Sequence, residues 1–396
     1  MRLAGLLLLL LTAPSSAAAQ GIGQRLTDIG FRVQDALGEA FARALPLPSA
    51  SAGVSYAFDP ATGNFQREAA TFGQVYLDRA DTLGAGRLNL SFAYQYVQLE
   101  EIGGKTADDL GDPTPIFIPG KAAAVQFSSL QVEASVHSFL LAGTYGLSEN
   151  IEASIAVPVV YSVLRTAAAA RVAGVRASDQ ALFSTSVTAE ESPHVVGFGD
   201  VLLRAKYRFV DTGPVHVAWG LLLRLPSGDP ANLQGIGFVE VTPLVLASTR
   251  IFELASWARL QGHFNAGVGL DTEDVGASEA RWGIGLDWGI TEHMTAAVAI
   301  LGRNQFARVA PPGFFDFPRC PGASLVTCAT TQAARDGTQP LFGLSGARPD
   351  YYDISIGGRG ALWRDTLFAF VNVVVPLNDG FVRTAPIPLA GIEATF

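Results

Sequence analysis

The chain has 396 residues, of which only 16% are charged, and a mean hydropathy of +0.28; ordinary globular domains carry about 25% charge. Its net charge of −9 argues against nucleic acid as a partner, because phosphate binding is built on clustered lysine and arginine. Beyond the N-terminal stretch no run of about 18 apolar residues occurs, which excludes membrane-spanning helices and spreads the apolar character over short segments.

Residues 1–19 combine Arg2, the unbroken apolar run Leu6 to Leu11 and the small residues Ala17, Ala18 and Ala19. That is the pattern of a cleaved secretory signal, and its run is too short to cross about 30 Å of hydrocarbon. The mature chain is expected to begin near Gln20. Ile22, Leu26, Ile29, Val33, Leu37 and Phe41 then recur at spacings of three or four, which predicts an amphipathic helix ended by Pro46 and Pro48. Residues 20–82 are read as this helix plus a periplasmic or luminal stretch, with the helix serving as a plug, a tail or a partner site. Val54–Phe58 and Phe72–Leu77 are short strand candidates.

From Leu83 to Phe396 the chain becomes regular. Alternating segments begin at Arg87–Tyr96 and Leu130–Tyr145 and end at Leu367–Leu377 and Pro388–Phe396. They number about twelve, most near the 9–11 residues that cross a bilayer at a tilt. Their connections alternate short and long: "GLSEN", "DTGP", "ELAS", "TEH" and "RD" against stretches such as 164–199 and 303–351. This predicts an all-β, up-and-down antiparallel transmembrane β-barrel with tight periplasmic turns and longer outer loops. Twelve strands are expected, or fourteen if Val54–Phe58 and Phe72–Leu77 join the wall. Tyr145, Phe209, Phe252, Trp288, Trp363 and Phe396 cluster beside the short turns, as a headgroup-level girdle requires.

The stretch "GFGDVLLRAKYRFVD" shows the two faces. Val201, Leu203, Ala205, Tyr207 and Phe209 point one way, towards lipid, and Leu202, Arg204, Lys206 and Arg208 the other, towards a polar lumen. Extending this parity makes Arg204, Lys206, Arg208, Arg224, His263, Asp287 and Arg359 the candidate lumen-lining residues, together with Glu133, His137 and Glu152. They form either a fixed ion-pair network or charges along a permeation path. Val160, Leu202, Leu222, Phe368, Phe370 and Val374 fall on the same face, so the lining is mixed and suits an apolar or amphipathic solute. Pro158 cannot donate to its ladder and marks either a bulge or a kink that opens the wall sideways. Phe314, Phe315 and Phe317 in "PPGFFDFPRC" form a candidate ligand loop or lid on the outside. Cys320 and Cys328 lie close together in an exported chain, where a local disulfide is expected; no further ligands suggest a metal pair. None of the five histidines sits in H-E-x-x-H and no serine in G-x-S-x-G. No catalytic residue, metal or cofactor is therefore assigned, although a triad need not be local in sequence.

"GFGDVLLRAKYRF", the downstream "LPSGDPANLQGIG" and the preceding "IEASIAVPVVYS" resemble Gram-negative outer-membrane proteins of the phenol meta-pathway degradation transporter family, over about residues 83–396. The resemblance implies an outer-membrane barrel that imports hydrophobic or aromatic compounds, and carries no binding residues across. Phe396 is similar to the aromatic C-terminus recognised by the barrel-assembly machinery. The expected function is passive uptake of small hydrophobic or aromatic molecules across the outer membrane, with membrane lipid as the surrounding partner. The alternatives are a structural or adhesin-like barrel with a blocked lumen, and an outer-membrane enzyme.

Overall fold

A computed structural model describes residues 41–49, 56–59, 64–67, 71–110, 114–118, 123–175, 180–192, 194–211, 214–249, 252–255, 258–307, 316–332, 338–340, 350–363, 366–379 and 382–396. The expected signal, most of the expected N-terminal helix, Phe314 and Phe315 lie outside the described residues.

Twelve strands form the wall: β1 (Leu88–Ile102), β2 (Ala123–Ser148), β3 (Ile151–Val175), β4 (Val201–Val210), β5 (Val215–Leu225), β6 (Glu240–Thr249), β7 (Ala258–Asp271), β8 (Glu279–Thr291), β9 (Met294–Gln305), β10 (Tyr351–Trp363), β11 (Leu367–Pro376) and β12 (Ile387–Thr395). Each pairs antiparallel with the next. The ring closes where β12 meets β1, with Leu389 opposite Gln95 and Thr395 opposite Asn89. Closure leaves no wall edge in hydrocarbon, where an unpaired peptide group is costly. β2 and β3 run 26 and 25 residues, far beyond the 9–11 needed for a bilayer, so their distal halves project on the long-loop side.

The period-two pattern is realised as expected. Along β4, Leu202, Lys206 and Arg208 are buried, while Ala205, Tyr207 and Phe209 are exposed on the outer surface. Leu90, Phe92, Leu141, Ile155, Trp219, Phe264, Ile284, Ile300, Ile356 and Val371 continue that apolar outer surface around the wall. Tyr145, Phe252, Trp288, Trp363 and Phe396 are also exposed, beside the short turns.

The fourteen-strand alternative is overturned. Tyr56–Asp59 pairs only with Asn64–Arg67, in a separate two-stranded sheet. Phe72–Leu77 is not a strand: it lies inside the barrel, with Phe72 1% exposed and its ring 5.0 Å from Phe368 on the inner face of β11. Leu77 is buried in the same interior. A segment with neither alternation nor a free sheet edge to join is better satisfied by the polar and apolar groups already lining the lumen.

Two inward assignments on β2 are also corrected. Glu133 is about half exposed and Val132, Ala134 and Val136 are buried instead; His137 shares this outward parity, its ring 4.9 Å from Tyr96. On this part of β2 polar groups face out and apolar ones pack within. On the long-loop side a short helix, α1 (Leu325–Thr330), is tied to the chain before it by the Cys320–Cys328 disulfide, both cysteines fully buried. Phe317 lies in a short strand, Asp316–Pro318, paired with Thr338–Pro340.

Candidate functional site

The barrel interior is occupied by the chain's own residues 41–49 and 71–83. Helical residues 41–44 stop before Pro46, and the last carbonyls of a helix need donors from elsewhere. Two wall arginines supply them. Arg224 of β5 donates to the carbonyl of Ala42 at 3.4 Å, and Arg303 of β9 donates to those of Arg43, Ala44 (2.6 Å) and Leu45 (3.3 Å). Cations at this end also oppose the negative pole of the helix. Arg43 in turn pairs with Asp271 at the end of β7.

Residues 71–83 are held by the opposite, short-turn half of the lumen. Asp78 pairs with Arg204. Lys206 donates to the carbonyls of Arg79 (3.1 Å) and Asp81 (2.6 Å) and pairs with Glu152 at 2.8 Å. Glu152 accepts from the Leu83 amide at 2.7 Å, and Asp81 pairs with His216. Arg79 reaches Gln261 at 2.8 Å and Asp287 at 3.5 Å. The segment then turns into β1 through Gly84 and Gly86, at φ +96° and +72°, a left-handed conformation that favours glycine.

Ser248, His263 and Asp287 form a chain: Ser248 Oγ to His263 Nδ1 is 2.9 Å, and His263 Nε2 to Asp287 Oδ2 is 2.9 Å. These are the residue types of a hydrolase triad. Ser248 Oγ, however, accepts the Ala80 amide at 2.9 Å, and the three residues are at most 3% exposed. With residues 71–83 seated, the chain is a docking post and not an open site.

The sequence-predicted lining residues are therefore brought together, mostly around the luminal segment. Arg204, Lys206, Arg224, His263 and Asp287 bond to it directly or through one neighbour. Arg208 bonds to Asn150 and Asp211 beside Asp81, and Arg359 pairs with Glu393 of β12 at 2.9 Å. Their counterparts Asp78, Arg79 and Asp81 were not singled out by sequence reasoning; "LDRAD" shows clustered opposite charges but no periodicity.

The inner face is divided. β4–β10 carry most of its ionised side chains, whereas the inward residues of β1–β3 include Ala93, Val97, Leu99, Val132, Ala134, Val136, Ala156, Val160 and Leu164. Against this side lies a cavity of about 80 Å³, bounded by Leu45–Pro48 and by Val97, Leu140, Pro158, Val160, Leu202 and Leu233, with Gln95, Ser138, Asp200, Arg224 and Gln234 as its polar members. Pro158 faces it. On one side Pro158 pairs with Leu140; on the other, Ala156 opposes Leu202 and Val159 opposes Phe198, so the strand opposite carries one extra residue. This is a bulge, and it absorbs the missing donor. The Gly199 amide donates to the Pro158 carbonyl at 2.8 Å, so the wall is continuous here.

The two glycine-containing motifs meet at this cavity. Asp200, from "GFGD", accepts from the amides of Gly228 (3.1 Å) and Ile236 (2.8 Å) and from Arg224 Nε (2.8 Å). Ser227, from "LPSGD", donates to the Gly199 carbonyl at 2.8 Å and accepts from the Val201 amide at 2.9 Å. These bonds fold the β5–β6 loop inward and set Leu233 and Gln234 into the cavity wall.

Fold and site together define a transmembrane β-barrel with a self-filled lumen and an apolar internal chamber. No family model matches the sequence, and no curated protein matches it. Among solved structures, the chain is similar to the COG4313 outer membrane channel from Pseudomonas putida F1, at 11% identity and a TM-score of 0.42, covering 82% of this chain and 100% of that one. It is also similar to the NanC porin, at 8% identity and TM-score 0.35, covering 78% and 98%. A third likeness is to a TodX mutant, a monoaromatic hydrocarbon channel, at 8% and 0.31, covering 83% and 96%.

Proposed function

We propose that this chain is an outer-membrane channel for passive uptake of small hydrophobic or aromatic molecules, and that residues 45–48 and 71–83 shift when a solute passes. The observation that carries this reading is the apolar chamber against β1–β3, enclosed in a lumen whose other walls are ionic. Apolar surface facing water costs about 25 cal/mol per Å². A lining built for water or ions has no use for it, whereas a hydrophobic solute is stabilised by it. The apolar exterior and aromatic band support a membrane setting.

A second reading is favoured by the number of bonds that hold residues 71–83: a structural barrel whose lumen stays filled. The two separate by experiment. In cells with an intact lipopolysaccharide layer, expression of the full chain should accelerate entry of labelled toluene several-fold over an empty vector. Equal entry in both would overturn the channel reading and leave the structural one.

A further inference from the structure

Gln234 is 7% exposed, lines the chamber, and its side-chain amide nitrogen has no hydrogen-bond partner among the described residues. A buried amide donor is ordinarily satisfied, and an orphan calls for an explanation. The surrounding structure holds this one in place. The Gln234 backbone amide donates to the Asp229 carbonyl at 3.0 Å, and Leu233 before it adopts φ +60°. A Cβ on Gly197 would lie 2.4 Å from Gln234 Oε1, so glycine there admits the side chain against the wall. Asp200 pins the loop on either side of Gln234 through the Gly228 and Ile236 amides. Both glycine-containing motifs thus converge on a buried N–H donor, unpartnered among the described residues, in the wall of a cavity that is mostly apolar apart from Gln95, Ser138, Asp200 and Arg224.

We infer that the chamber is a binding site for small apolar molecules that carry a single oxygen acceptor, such as a carbonyl or hydroxyl oxygen, with Gln234 Nε2 donating to that oxygen. This deepens the channel reading and rests on it for the solute's route, but not for binding itself. The chamber's apolar residues take the hydrocarbon part and Gln234 fixes its orientation, the usual division of labour in small-molecule sites. Size adds a second condition. An apolar cavity of about 150 Å³ holds benzene, and this one is about 80 Å³. A ring enters only if a boundary yields. Leu45–Pro48, which belongs to the lumen filling and not to the hydrogen-bonded wall, is the part that can.

The test is binding to the detergent-solubilised full chain, measured by equilibrium dialysis with cyclopentanone and with methylenecyclopentane, which has the same shape without the acceptor. Cyclopentanone should bind about tenfold more tightly once each affinity is corrected for partition into detergent, the effect of roughly one hydrogen bond to a buried donor. Gln234→Met should bring the two ligands to parity. The wild-type ratio is informative even if that variant does not fold. Equal wild-type affinities would overturn the role of Gln234 while leaving a channel for plain hydrocarbons. No binding of either would overturn the chamber as a site, and the toluene entry experiment then judges the channel reading separately.

Discussion

At the scale of single residues, the inner face is dominated by ionised groups whose partners lie on the luminal segment or a neighbouring strand. Lys206 and Glu152, 0% and 1% exposed, show what this implies. Removing one member of a buried pair leaves the other uncompensated, at a cost of about 3–5 kcal/mol, whereas replacing both by apolar residues is far milder. Lys206→Met should therefore lower the unfolding midpoint in detergent more than the double variant Lys206→Met, Glu152→Leu. The reverse order would show that this ion pair stabilises the barrel on its own account. Ser248→Ala makes a separate case. It removes the acceptor of the Ala80 amide and should increase exchange of that amide, measured by hydrogen–deuterium exchange, by roughly fivefold for a bond of about 1 kcal/mol. Residue parity was legible in the sequence wherever a strand lies within hydrocarbon, as Arg204, Lys206 and Arg208 show. It failed at Glu133 and His137, because there β2 turns polar groups outward and packs Val132, Ala134 and Val136 inside, so the polar face no longer marks the lumen.

At the scale of elements, the strands and the rhythm of their connections were legible, since alternation and turn chemistry are local properties. The lumen filling was not. Many of the partners that hold residues 71–83 are distant in sequence, such as Glu152 for Leu83 and Ser248 for Ala80, and no short-range pattern announces them. The motifs "GFGD" and "LPSGD" were visible, but their joint role needed the fold to bring Asp200 beside Gly228. The strap Leu45–Pro48 yields the element-scale prediction. Leu47→Ala enlarges the chamber without touching the wall, so affinity for a six-membered apolar ring should rise several-fold. Unchanged affinity would mean that Leu47 does not limit the space. The capped helix end supplies another expectation. Arg303→Met leaves the carbonyls of Arg43 and Ala44 without that donor, and should make residues 41–49 more accessible to protease while the wall stays resistant.

At the scale of the whole molecule, one cylinder separates two solvents and is filled by its own N-terminal region. The outer surface must stay apolar: Ile284→Arg, placed mid-strand on β8 opposite Ile300 of β9, should cost about 2–4 kcal/mol in a bilayer and be read as reduced folded yield in vesicles. On the channel reading, solute moves only when residues 71–83 leave their seat. The most direct test joins that segment to the wall by converting Ala80 and Ser248, in contact through the Ala80 amide, to cysteines and oxidising them in the full chain. The native Cys320–Cys328 pair is already bonded and is unaffected. Toluene entry should be at least that of the wild type before oxidation, since the Ser248 acceptor is lost, and fall to the vector level after it. Entry that continues undiminished in the cross-linked protein would show that solute passes with residues 71–83 still seated.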